Sequence, residues 1–187
     1  MLMNLQSWAW RTTMRTKLLR QPSNAGFTLI EVLAVVIILG ILAAIAAPGW
    51  VAFANARQAN QLADQVLQRI RQSQTEAGRL RSNQVIEFNN ANPPELRYGN
   101  ERGGRSVELL GEGRLAPGLA GLNAFNGEGQ NVNALTFNPN GILVSDGNLP
   151  ITITVQVPAD GSGTRRCVVL KTLMGASEIA QGDDCNP

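Results

Sequence analysis

Residues 26–47 read GFTLIEVLAVVIILGILAAIAA, and the rest of the chain is best understood outward from this stretch. From Phe27 to Ala47 only Thr28 and Glu31 are polar. At about 1.5 Å rise per residue, a helix of this length crosses the roughly 30 Å hydrocarbon core of a bilayer. The residues before it include Arg11, Arg15, Lys17 and Arg20 and no acid, a charge pattern that stays on the cytoplasmic side of a membrane. Everything after Pro48 is therefore expected outside the cytoplasm.

An ordinary secretory signal places a shorter apolar run directly after its charges and a small-residue cleavage site behind that run. Here Gln21 to Gly26 separate the charges from the apolar run. A cut in this spacer would leave the apolar helix in the product. Gly26-Phe27-Thr28-Leu29-Ile30-Glu31, followed by an apolar run, resembles the cleavage and methylation motif of type IV prepilins and type II secretion pseudopilins. The resemblance implies a leader of residues 1–26, removed by a membrane-embedded prepilin peptidase that cuts after Gly26 and N-methylates the new terminus at Phe27. It also implies that Glu31 is the acid needed for assembly.

Glu31 has its own physical argument. A carboxylate within an apolar helix costs about 2.5–3.5 kcal/mol on insertion scales, and less where it reaches the interface, so it calls for a partner. A new α-amino group four residues away is one candidate. The resemblance implies that the amino group of a neighbouring subunit is preferred, in a pairing that sets the axial register of a filament. The alternative is a side chain that only reaches the headgroups. Pro48 and Gly49 would kink or locally melt a helix, or end it at the membrane surface; the resemblance implies a stretch that unwinds when the subunit leaves the bilayer. From Trp50 to about Leu80, apolar residues recur at helical spacing: Trp50, Phe53, Ala56, Ala59, Ala63, Val66, Leu67 and Ile70. This predicts an amphipathic helix packed on a sheet, with its exit at Gly78.

After Arg81 the texture changes to short β-like runs broken by Gly, Asn and Pro. Strands are predicted at 83–89, 95–98, 106–110, 134–138, 142–145, 151–157 and 166–172. Asn138-Pro139-Asn140-Gly141 supplies the turn of a hairpin, and Ile151 to Val157 alternates so that one face is core and the other wet. The Gly-rich stretches at 99–104, 111–118 and 127–129 lack the Lys-Ser/Thr and helix of a phosphate loop and read as turns. Phe137, Pro139 and Gly141, then Cys167 to Leu170 and Gly175, resemble the head of GspH/FimT-like minor pilins. DNA-binding members of that group carry Gly-Arg-x-Arg at the C-terminal glycine. This chain has Gly175-Ala176-Ser177-Glu178 instead, which argues against DNA as a partner and leaves Arg165, Arg166 and Lys171 as the only nearby cations to contact it.

Composition narrows the rest. The 187 residues include no histidine and two cysteines, which removes most routes to general acid/base chemistry and to metal sites. The expectation is no enzyme, no cofactor and no metal. Cys167 and Cys185, in an exported head, are expected to form a disulfide. The net charge of +2 belongs to the precursor: without residues 1–26, sixteen basic residues become twelve against fourteen acidic ones, a balance of −2. The chain is thus read as α+β with a pilin fold. It divides into a leader (1–26), a transmembrane and filament-core helix (27–47), an amphipathic half (48–80) and a β-rich head (81–187). Its expected role is that of a structural minor pilin, with pilin subunits, prepilin peptidase and the inner membrane as partners. The subunit would be single-pass in that membrane before joining a surface pilus or periplasmic pseudopilus. The alternatives are an H-type pseudopilin of type II secretion, a DNA-uptake pilin, and an uncleaved single-pass membrane protein.

Overall fold

The computed structural model describes residues 26–144 and 148–186. The expected leader, apart from Gly26, lies outside the described residues. The chain falls into two units, one ending at Leu42 and one running from Ala43. A single helix, α1 (Leu29–Leu80), contributes to both. It continues through Pro48 and Gly49, so the helix does not end at the proline. In the first unit it is bare helix with every large apolar side chain exposed.

In the second unit α1 buries one stripe: Ala59, Leu62, Ala63, Val66, Leu67, Ile70, Ser73 and Ala77. The spacing of three and four residues keeps these side chains on one face. The predicted face is corrected at its start, because Trp50 and Phe53 fit the helical spacing but are exposed. Periodicity records which residues share a face, and cannot record how far along that face a head reaches. The exit also differs from expectation. Gly78 stays helical, and Arg81 takes the left-handed position beyond the end at φ 49°, with the Ser82 N–H donating to the Ala77 carbonyl at 3.3 Å. That bond closes the helix as a Schellman cap does, with arginine where glycine is usual.

Among the described residues nine strands follow: β1 (Gln84–Asn89), β2 (Glu95–Asn100), β3 (Arg105–Leu109), β4 (Gly121–Phe125), β5 (Ala134–Phe137), β6 (Leu143–Val144), β7 (Ile151–Val157), β8 (Thr164–Leu170) and β9 (Ser177–Gln181). They form two antiparallel sheets, in the orders β3-β2-β1-β5-β6 and β4-β7-β8-β9. The fold is α+β, a long N-terminal helix packed on antiparallel sheets. One core joins the buried stripe of α1 to Ile86, Leu96 and Phe137 of the first sheet and to Ile151, Ile153, Val168 and Leu170 of the second. The predicted hairpin is the β5–β6 pair, with Phe137 opposite Leu143. Its turn is held by Asn138, whose Oδ1 accepts from the Asn140 and Ile142 N–H groups at 2.9 and 3.0 Å, and by Gly141 at φ 71°. An Asn side chain that mimics a backbone acceptor is the reason for that residue there.

β7 departs from the expected pattern of one dry and one wet face. Thr152 and Thr154 are buried as well as Ile151, Ile153 and Val155. The second face is covered by the C-terminal segment, a 3-10 turn at Gly182–Cys185 whose Cys185 packs with Cys167, Val169 and Ala180 in a small separate core. Thr154 Oγ1 donates to the Cys185 carbonyl at 3.2 Å, which satisfies its buried hydroxyl. Arg81→Gly is expected to stabilise the detergent-solubilised protein by about 0.5–1 kcal/mol in urea unfolding. It removes the left-handed penalty of about 1–2 kcal/mol, less the added chain entropy of glycine; a loss of stability would show that the arginine side chain itself supports the cap.

Candidate functional site

The N-terminal motif builds its own geometry. Gly26, Phe27 and Thr28 are non-helical and α1 begins at Leu29. Thr28 caps it: its Oγ1 accepts from the Glu31 N–H at 3.2 Å, and its carbonyl accepts from the Val32 N–H at 3.2 Å. The spacing Thr28-x-x-Glu31 is that of a capping box, a signal present in the sequence and missed by a reading fixed on the acid alone. An acid at this position is also favoured by the helix dipole. Among the described residues Glu31 forms no salt bridge. Phe27 is 82% exposed, and Leu29, Ile30, Val32, Leu33 and the apolar residues onward to Leu42 are exposed with it. Among the described residues α1 is the helix long and apolar enough to cross a membrane, and none of its apolar window is buried.

These features coincide with a known signature. Residues 21–47 match the prokaryotic N-terminal methylation motif. The methylation motif thus spans Gly26, Phe27 and Glu31, and its match ends one residue before Pro48. Two solved structures are similar to the chain. One is the minor pseudopilin EpsH from the Type 2 Secretion System of Vibrio cholerae, at 12% identity and TM-score 0.46, covering 66% of this chain and 97% of that one. The other is the type IV minor pilin FimU of Pseudomonas aeruginosa, at 16% identity and TM-score 0.46, covering 67% of this chain and 98% of that one. No curated protein matches the chain.

In the head, Cys167 and Cys185 form a disulfide with Cα atoms 5.5 Å apart. It ties β8 to the C-terminal turn behind β7. The three cations singled out from the sequence are not gathered into one patch. Arg165 and Arg166 are neighbours on β8 and so point to opposite faces. Arg165 Nη1 donates to Asn186 Oδ1 at 2.7 Å, and Arg166 donates to Gln181 on β9. Lys171 lies beyond the end of β8, five residues or about 16 Å of strand from Arg166, and pairs with Glu178 at 2.5 Å. The residue Glu178, which stands where the DNA-binding pattern has an arginine, thus occupies the nearby lysine.

Two side chains that position the head escaped the sequence reading. Gln74 on α1 donates through Nε2 to the Gly141 carbonyl at 2.8 Å and to the Met174 carbonyl at 2.9 Å, which ties two loops to one helix turn. Arg69 stacks its guanidinium 3.9 Å from the Tyr98 ring centroid and pairs with Glu108, joining α1 to β2 and β3. No periodic signal marks either residue, since both contacts depend on loops and strands far away in sequence. Cys167→Ser is expected to lower head stability by about 3 kcal/mol, the chain-entropy value for a loop of this size. Reductant should bring the wild type to the same level and leave the variant unchanged, as read by urea unfolding.

Proposed function

We propose that this protein is the precursor of a structural minor pilin, cut by prepilin peptidase between Gly26 and Phe27, methylated at Phe27, and assembled through α1 into a type IV pilus. The observation that carries this reading is the methylation motif set at the cap of an apolar helix that its own chain leaves uncovered. Such a helix needs lipid before assembly and other helices after it. Glu31 would meet the Phe27 amino group of a neighbouring subunit once water is excluded, where an ion pair counts for most. The run through Pro48 and Gly49, where one helical hydrogen bond is missing and propensity is low, is where the helix would yield on leaving the bilayer.

The head in this reading is structural and takes up no DNA. Support comes from the engagement of Arg165, Arg166 and Lys171 by Asn186, Gln181 and Glu178. In gel retardation the protein should therefore bind no DNA that the Arg165→Ala/Arg166→Ala variant releases.

Intact mass in strains with and without prepilin peptidase tests the processing. A peptidase-dependent product beginning at N-methylated Phe27 is expected, and a chain that keeps residues 1–26 in both strains would overturn the reading. Glu31→Gln should still be cut but should be lost from filaments. Deletion of the gene should reduce surface piliation, whereas loss of exoprotein release with piliation intact would assign the subunit to a secretion pseudopilus.

A further inference from the structure

Just beyond the apolar run, α1 carries a small aromatic and cationic face that the head leaves open. Trp50 is 73% exposed and Phe53 52%, with their rings 6.2 Å apart and inclined at 46°. Arg57 lays its guanidinium over the Phe53 ring, 5.1 Å from the centroid. Helical side chains lean toward the N-terminus, so Arg57 turns its charge back along the helix toward the apolar run. It is the only charged residue between Glu31 and Asp64, and among the described residues it has no salt-bridge partner.

The spacing of this face matches a bilayer. A hydrocarbon core of roughly 30 Å takes about twenty helical residues, which counted from Glu31 ends at Val51. The headgroup layer beyond it takes about 5–7 Å more, some four residues. Trp50 falls at the boundary, and Phe53 with the Arg57 charge falls in the headgroup layer. Amphipathic aromatic rings gather at that depth, a long basic side chain reaches back to it, and an arginine there attracts anionic lipid.

We propose that Trp50, Phe53 and Arg57 form a depth anchor that docks the unassembled subunit onto anionic phospholipid headgroups at the outer surface of its membrane. The anchor rests on the prepilin reading for membrane insertion before assembly. Its role is to fix how deep α1 lies, and with that the level at which Glu31 waits for its partner. The interaction is confined to three side chains on one face and so is weak enough to be given up when the subunit is extracted.

The chain offers a direct probe. It holds three tryptophans, Trp8, Trp10 and Trp50, so a Trp8→Phe/Trp10→Phe variant reports on Trp50 alone. The full-length variant, from cells without prepilin peptidase, is placed in nanodiscs of phosphatidylcholine and phosphatidylglycerol. Either lipid carries a spin label on its headgroup at equal mole fraction. Labelled phosphatidylglycerol is expected to quench Trp50 roughly two- to fivefold more strongly than labelled phosphatidylcholine, the enrichment that one basic residue gives near an anionic surface. Arg57→Gln should abolish that preference while both labels still quench.

Equal quenching by the two lipids in the Arg57 chain overturns the proposal. So does a Trp50 quenched by aqueous iodide and by neither lipid, which would leave the face to a neighbouring subunit. Intact mass of the same variant from peptidase-positive cells separates the two failures. A chain cut before Phe27 whose Trp50 ignores lipid overturns the anchor alone, and an uncut chain overturns the prepilin reading alone.

Discussion

The thirteen large apolar side chains exposed from Phe27 to Ile45 are the constraint to which the rest of the molecule answers. Burying one such side chain fully is worth about 1.5–3 kcal/mol, so leaving the set in water would cost on the order of tens of kcal/mol. A soluble monomer with this surface is not a stable end state. Lipid or a bundle of other helices would each meet the requirement. Thr28 and Glu31 stand at the head of this surface, where the cap defines the first helical turn and brings a carboxylate to the threshold of an apolar environment. Both the position and the charge of Glu31 acquire meaning from the apolar run that follows it.

The second unit solves a different problem, which is to fold around a core of its own. Its helix stripe and the two sheets share one core, and the back of β7 and β8 is closed by the C-terminal turn. Cys167 and Cys185 hold that turn in place, a device suited to the oxidising side of a membrane. Polar side chains do the remaining fastening between helix and sheets: Gln74 to two loops, Arg69 to Tyr98 and Glu108, and Gln65 to Glu108 and Gly111. Several of these contacts are partly buried, and the buried Arg69 Nε is left without a hydrogen-bond partner.

The elements legible in the sequence are those whose signal is local. The apolar run, the amphipathic stripe from Ala59 to Ile70, the Asn138–Gly141 turn and the existence of the strand from Ile151 to Val157 follow from composition and period, whereas the burial of that strand's second face does not. The strands that escaped are β4 and β9. Gly121-Leu122-Asn123-Ala124-Phe125 opens with glycine in a Gly-rich region, and Ser177-Glu178-Ile179-Ala180-Gln181 is polar; both are edge strands that owe their form to a ladder with β7 or β8. The division into two sheets was hidden for the same reason, since strand order is a property of distant pairings. Of the N-terminal site, Gly26, Phe27 and Glu31 were legible as a motif, whereas the exposure of Trp50 and Phe53 was not. Their spacing is that of a packed face, and only the position at which the head begins to cover α1 sets them apart.

On the proposed function, the apolar helix passes from lipid into a filament after the leader is removed. Mass spectrometry of filaments sheared from the cell surface tests it most directly. The chain should be recovered there, beginning at N-methylated Phe27. A chain beginning at Met1 and confined to the membrane fraction, with none in the filaments, would contradict it.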